Sequence, residues 1–386
     1  MISRILNLSG TSSYFLLGPR GVGKTKFLHT HFPNALYIDL LEDEKFNMLI
    51  SSTQRLEQLI EDSGQQQVVI DEVQKIPRIL DEVHRLIEKK NIQFILTGSS
   101  ARKLKRSGVN LLAGRAITKY MYPLTALELG GQYDFSKSLL SGLLPSAYLG
   151  ENTKQYLSSY VATYLKEEIQ QEGLTRNLGA FSRFLEAASL SQAQQINISD
   201  VARQCSVERK TVEQYFTILE DLMLATRLPV FTKRASREMT QHPKFFLFDV
   251  GVYRALRPKG PLDMPEEIDG AAFETLLLQE MRAVNDYCDL GYYFYFWRTK
   301  TKLEVDIIAY GERGIIACEV KRAAHVRRED LRGLLAFKED YPTSKLFLFY
   351  GGAKRYTESG ITFVPLREAM SDIRDILLPG CSPRRE

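Results

Sequence analysis

The period of apolar and polar positions changes along the chain, and the changes divide it. Over residues 1–125, short continuous apolar runs alternate with stretches of helical spacing. The runs Tyr14–Leu17, Leu36–Asp39, Gln67–Ile70 and Phe94–Thr97, with Ile117–Tyr120 as a further candidate, are strand-like. Alternating with helical patterns, they predict a parallel α/β sheet. From 126 to 176 the spacing is helical, with a turn around Gly142–Pro145. Over 177–232, Ile198–Cys205, a short break and Glu208–Leu222 have helix–turn–helix spacing, followed by a strand-like Ala225–Phe231. A basic link (Lys233, Arg234, Arg237) leads to Pro243, and residues 243–386 read as a second α/β unit. Its helix Gly270–Asn285 precedes strands Tyr292–Trp297, Leu303–Tyr310 and Ile315–Lys321, a helix around 328–339, and strands Lys345–Tyr350 and Thr362–Pro365.

Composition narrows this little. The 386 residues are 44% hydrophobic and 25% charged, the balance of a globular protein of two or three domains. No charge-free apolar run approaches the ~18 residues of a membrane span, so no membrane partner is expected. The N-terminus runs at once into a strand and is not expected to be a cleaved signal. Four dispersed cysteines, without CxxC, suit a reducing, cytoplasmic setting and argue against zinc. A net charge of +4 permits a nucleic-acid partner without requiring one.

The chemistry starts at Gly18-Pro19-Arg20-Gly21-Val22-Gly23-Lys24-Thr25, a complete G-x-x-x-x-G-K-[ST] between a predicted strand and helix. Phosphate oxygens are held by backbone N–H groups that only a glycine-rich turn can bring close, reinforced by the helix N-terminus. Lys24 is expected to reach the β- and γ-phosphates of ATP, and the Thr25 hydroxyl to ligate Mg²⁺. Val68-Val-Ile-Asp71-Glu72 is the companion signal: a buried strand delivering Asp71 to the metal and Glu72 to the attacking water. The next strand ends in Thr97-Gly-Ser99-Ser100. Its hydroxyls lie within reach of a γ-phosphate, Ser99 before Thr97. Arg115, in Leu-Ala-Gly-Arg, is read either as an arginine finger, in cis or in trans, or as a surface ion pair.

Together these motifs resemble an AAA-type P-loop ATPase of a prokaryotic subgroup that joins the ATPase core to a C-terminal domain of uncharacterised function. Gly142-Leu-Leu-Pro145, Tyr164-Leu-Lys-Glu-Glu-Ile169 and a late Glu-Val-Lys extend the resemblance over nearly the whole chain. It implies an α/β fold: a P-loop AAA-type parallel sheet core, a helical lid (126–176), a winged-helix segment (177–232) and a C-terminal restriction-endonuclease-like α/β domain (243–386). A homo-oligomer is expected, because AAA-type sites commonly lie between subunits.

In the helix–turn–helix block, Glu208, Arg209, Lys210, Thr211 and Gln214 form a polar helix start that could enter a major groove or serve as a protein joint. In the last unit, a symmetric turn centred between Glu312 and Arg313 sets Asp306 opposite Glu319 and Glu304 opposite Lys321. All four then project from one face. Facing carboxylates repel unless a cation or proton lies between them, which suggests Mg²⁺ or Mn²⁺ at Asp306 and Glu319, with Lys321 beside it. The pattern resembles the PD-(D/E)XK nuclease superfamily, whose additional helical acid Glu274 matches; Val305 stands where the name-giving pattern has Pro. Three readings stay open: a cleaving site, a nuclease-like fold without cleavage, and a surface charge ladder. The expected function is Mg²⁺-dependent ATP hydrolysis coupled to a nucleic acid, DNA before RNA. The alternative is a nucleotide-controlled switch acting on protein partners.

Overall fold

The computed structural model describes residues 2–98, 112–164, 177–258, 260 and 263–378. The chain forms two compact units, Arg4–Pro123 with Asp221–Leu224, and Leu124–Glu220 with Ala225–Glu386 and Met1–Ser3.

In the first unit, β1 (Ser13–Leu17), β2 (Leu36–Asp39), β3 (Gln67–Asp71), β4 (Gln93–Gly98) and β5 (Ala116–Tyr120) form a parallel sheet in the order β2-β3-β4-β1-β5. Every residue of β1 and β4 is buried, as the unbroken apolar runs require of strands with two covered faces. Helices Asp43–Ser51, Arg55–Ser63 and Ile79–Lys90 supply Leu49, Leu56, Ile60, Val83 and Leu86 to the same core as Val68, Ile70 and Phe94. Because β4 lies between β1 and β3, its end stands between the glycine-rich loop that follows β1 and the acids that follow β3.

The second unit opens with short helices from Ala126–Leu129 to Thr153–Ser159 and a π-helical turn, Tyr160–Tyr164. The helices Ile198–Cys205 and Arg209–Asp221 adjoin the helix Leu178–Leu190 and a small sheet. That sheet runs β6-β8-β7, from β6 (Gln194–Gln195), β7 (Ala225–Leu228) and β8 (Lys244–Leu247). Val212, Tyr215, Phe216 and Leu219 are buried, with Tyr215 and Phe216 packed on Phe184, while Glu208, Arg209, Lys210 and Gln214 face solvent.

Strands β9 (Tyr293–Arg298), β10 (Glu304–Gly311), β11 (Gly314–Lys321), β12 (Lys345–Tyr350), β13 (Tyr356–Glu358) and β14 (Ile361–Pro365) make a mixed sheet, β13-β14-β12-β11-β10-β9. Helices Pro265–Tyr287, Arg332–Asp340 and Leu366–Leu377 accompany it. The aromatic run is a strand: Phe296 and Trp297 are fully buried and Tyr293 is exposed. In the helix Pro265–Tyr287, Glu280 is wholly buried; one carboxyl oxygen accepts the Ala126 N–H at 2.9 Å and the other has no hydrogen-bond partner among the described residues. Burial, with the Glu128 charge nearby, pushes its pKa well above the ordinary glutamate range.

Among the elements that escape the sequence pattern are β8, hidden behind Pro243; the helix Val250–Leu256, too short for a period to register; the helix Leu366–Leu377, which starts directly off β14; and the short strands β6 and β13.

Candidate functional site

The segment from Gly18 to Thr25 leaves the end of β1 and enters the helix Lys24–His31. Gly21 (φ +86°) and Gly23 (φ +93°) lie in the left-handed region, where glycine alone is unstrained. Gly18 meets a different limit: a Cβ there would stand 2.3 Å from the Met121 carbonyl oxygen. The outcome is a backbone turn at a helix N-terminus, the arrangement that presents N–H groups to a phosphate. Lys24, 7% exposed, curls over the loop and donates to the carbonyls of Gly18 (2.7 Å) and Pro19 (3.1 Å). Its ammonium is thus held at the loop, where carbonyl oxygens can be exchanged for phosphate oxygens.

Asp71, 4% exposed at the end of β3, is the hub of the opposite wall. One carboxylate oxygen accepts from the Thr25 hydroxyl at 2.8 Å and from the Tyr37 hydroxyl at 2.7 Å. The other accepts from the Thr97 hydroxyl and from the Glu72 N–H at 3.1 Å. Thr25 and Asp71, assigned to Mg²⁺ from the sequence, are therefore directly bonded, and oxygen donors of this kind suit that ion. Burial, then the bond to Asp71, pushes the Tyr37 hydroxyl above its usual range, so it stays a donor at neutral pH. Glu72 sits at φ +58°, left-handed for a residue with a Cβ, and its side chain accepts from the Gln74 amide. A strained position at a strand end accompanies functional sites.

Thr97, second choice for the γ-phosphate, turns its hydroxyl to Asp71; Ser99, the first choice, lies outside the described residues. Arg115 forks onto Glu88 of its own chain, with Nε at 2.7 Å, which holds the Glu88 carboxyl below the usual range. The ion-pair reading of Arg115 is the contact seen here. Tyr37 was missed by sequence reasoning; a tyrosine in β2 carries no local signal of what stands on the neighbouring strand.

The second site lies wholly within the second unit. Strands β10 and β11 pair with Ile307 opposite Cys318 and Gly311 opposite Gly314, the register of a turn centred between Glu312 and Arg313. Asp306 and Glu319, each 6% exposed, line a cavity of about 450 Å³ with Glu274, Glu304 and Lys321. The sequence reading had no place for Lys244. This lysine opens β8, is 2% exposed, and puts its ammonium 2.7 Å from Asp306, 2.7 Å from Glu274 and 3.1 Å from Glu304. The remaining Asp306 oxygen accepts the Val320 N–H at 2.9 Å, and Glu304 also pairs with Arg298 at 2.9 Å. Lys321 reaches back to Glu319 at 2.8 Å, leaving the second Glu319 oxygen buried without a hydrogen-bond partner among the described residues.

The electrostatics follow from this packing. Burial alone would raise Asp306, but Lys244 and then Lys321 outweigh it and hold that carboxyl below its ordinary range. Burial and the Asp306 charge push Glu319 well above the usual range, and burial pushes Glu274 up to about 8. The cluster thus sets Lys244, Lys321 and Arg298 against four acids, of which Glu274 and Glu319 are raised and Asp306 is lowered. The expectation of a metal at Asp306 and Glu319 did not include Lys244, whose ammonium lies against one Asp306 oxygen, Glu274 and Glu304 but not against Glu319. Among the described residues no group of three or more His, Cys, Asp or Glu is arranged to hold a metal ion. A lysine opening an apolar run directly after a proline, in a chain with unmatched facing acids, was the available signal.

Three stretches of the chain match family models. Residues 11–130 match an AAA domain model, residues 132–263 a domain of unknown function (DUF8612), and residues 269–369 another domain of unknown function (DUF4143). The chain is 22% identical over 345 residues to an uncharacterized protein of Haemophilus influenzae, covering 84% of this chain and 82% of that one. It aligns with the crystal structure of protein VC1899 from Vibrio cholerae over 95% of this chain and 97% of that chain, at 11% identity. The TM-score of that alignment, 0.24, is too low to support any structural argument. No described helix is long and apolar enough to cross a membrane. The chain therefore carries an AAA domain with its P-loop at the N-terminal end and a DUF4143 domain toward the C-terminal end.

Proposed function

We propose that the protein is a Mg²⁺-dependent ATP hydrolase whose second unit responds to the nucleotide state as a switch, without cutting nucleic acid. The observation that carries the first half is the bond between Thr25 and Asp71, which sets a hydroxyl and a carboxylate together below a glycine-rich turn. Thr25 and Asp71 would hold the ion, which when bound offsets charge on the phosphate oxygens. The backbone N–H groups of Gly21 to Thr25 seat the phosphates, Lys24 exchanges its loop carbonyls for phosphate oxygens, and Glu72 orients and polarises a water. The Gln74 amide fixes the Glu72 carboxylate meanwhile.

Lys244 favours the switch over the nuclease reading, because a lysine holding three carboxylates leaves no hard-oxygen set for an incoming metal. Coupling to nucleic acid through the exposed start of the helix Arg209–Asp221 is the second reading, supported by Arg209 and Lys210 on its solvent face. A homo-oligomer, with Arg115 released from Glu88 toward a neighbour's nucleotide, belongs to the same proposal.

The test is phosphate release by the full chain in Mg²⁺, with and without single-stranded and duplex DNA, with the same tubes run on a gel. Turnover that Lys24→Ala abolishes, with intact DNA, is expected. Turnover unchanged in Lys24→Ala would overturn the ATPase assignment. DNA cleavage lost in Asp306→Ala would restore the nuclease reading.

A further inference from the structure

We propose that Lys244 is a resident cation standing where a divalent metal would bind, so that the Glu274–Asp306–Glu319 cluster excludes Mg²⁺ and Mn²⁺ and becomes a metal site only when that ammonium is removed. The proposal goes beyond the ATPase reading, and its readout needs no turnover.

The argument is one of donors and room. A hard divalent ion takes carboxylate oxygens from several directions at about 2.0–2.6 Å. Here Asp306, Glu274 and Glu304 converge within 2.7 to 3.1 Å of one nitrogen, at hydrogen-bonding rather than coordination distance. Lys244 is 2% exposed and approaches from β8, in a different sheet from Glu304 and Asp306 on β10, while Glu274 comes from the helix Pro265–Tyr287. An ammonium carried on a neighbouring strand cannot diffuse away as an ion can. A divalent ion entering this place would have to expel a buried charge and leave it without a counter-charge, at a cost comparable to its own binding.

Without the ammonium, the same residues acquire what they lack as a metal site. Asp306 keeps one oxygen anchored on the Val320 N–H and frees the other. Glu274 loses its only charged partner within ion-pair distance among the described residues. Glu319, 6% exposed, lines the cavity and has a buried oxygen with no hydrogen-bond partner among the described residues. Asp306, Glu274 and Glu319, the last still holding Lys321 on its other oxygen, then offer a hard-oxygen donor set.

The experiment titrates Mn²⁺ into the nucleotide-free full chain and follows free Mn²⁺ by electron paramagnetic resonance. Four proteins are compared: wild type, Asp306→Asn, Lys244→Met and the double variant. Wild type and Asp306→Asn should titrate alike, because any Mn²⁺ they share lies elsewhere. Lys244→Met should take one further Mn²⁺ per chain, and the double variant should lose it. Mn²⁺ should also raise the thermal midpoint of Lys244→Met alone. If Lys244→Met fails to fold by circular dichroism, Lys244→Gln, which keeps a neutral donor toward Asp306, takes its place. A wild-type Mn²⁺ site that Asp306→Asn removes would show that the metal displaces Lys244 and would overturn the proposal. So would a folded Lys244 variant that gains no Mn²⁺.

Discussion

Asp71 and Asp306 stand at comparable depth, 4% and 6% exposed, on strands of two different sheets, and they are satisfied by opposite means. Asp71 accepts from three hydroxyls, Thr25, Tyr37 and Thr97, and from the Glu72 N–H. Asp306 accepts from an ammonium and a single N–H. Hydroxyls carry no net charge, so around Asp71 a cation can be added and Thr25 can turn a lone pair toward it while remaining beside the carboxylate. Around Asp306 the charge is already balanced, and an arriving cation competes with one fixed to the chain. Two acids on buried strands look alike as letters; what separates a metal-ready carboxylate from a closed one is whether its donors are charged.

The comparison can be broken most sharply at the water-activating residue of the first site. Glu72→Gln keeps the size and the contact to Gln74 but loses the base, so turnover should fall by about 10²–10⁴-fold while ATP still binds. Phosphate release and a fluorescent-nucleotide titration, run together, separate those two effects; wild-type turnover in this variant would remove Glu72 from its role. At the second site the largest effect is on folding. Lys244→Met takes the ammonium from Asp306 and Glu274, while Glu304 keeps Arg298, and breaking a buried ion pair costs about 3–5 kcal/mol, to be read in the urea midpoint of the unfolding transition that reports the second unit. A shift below about 1 kcal/mol would mean that the carboxylates are neutral when Lys244 is absent, and that the ammonium balances less charge than its contacts imply.

Much of the first unit was legible because its signals are local. All five strands of its sheet were placed to within a residue; β1 and β4 are buried throughout, while the edge strands β2 and β5 are only partly buried. The P-loop is local too, eight consecutive residues whose glycines report backbone conformation directly. The β10–β11 register was readable because a tight turn fixes it. What could not be read was which side chains from distant strands complete each site. Tyr37 reaches Asp71 across 34 positions of sequence, and Lys244 reaches Asp306 across 62. Neither pairing leaves a periodic trace. The facing acids of β10 and β11 did announce that a positive charge was needed, and neither the metal reading nor the charge-ladder reading named Lys244.

A smaller effect sharpens the first half of the comparison. Tyr37→Phe removes one of the three hydroxyls on Asp71 without touching the P-loop, and a hydrogen bond to a charged group contributes about 1.5–3 kcal/mol. The released carboxylate oxygen should hold Mg²⁺ at least as well as before, so the apparent affinity for Mg²⁺ in ATP turnover should stay equal or tighten while the unfolding midpoint drops. Weaker Mg²⁺ dependence together with unchanged stability would indicate that Tyr37 orients Asp71 rather than satisfying it.

The smallest effect concerns a third way of burying a carboxyl, by leaving it protonated. Glu280 has neither hydroxyls nor an ammonium; its only hydrogen bond among the described residues is the Ala126 N–H, and burial raises its pKa well above the ordinary value. A group raised on folding adds stability that is fully present below its unfolded pKa, near 4.3, and is lost as the pH rises through the folded value. Glu280→Gln keeps the oxygen that faces Ala126 and abolishes the titration. Its unfolding midpoint should match wild type near pH 4 and gain on it steadily toward pH 8. A gap that stays constant with pH would mean that Glu280 is ionised in the folded protein and that its second oxygen has found water, which would place it with Asp71 rather than apart from both sites.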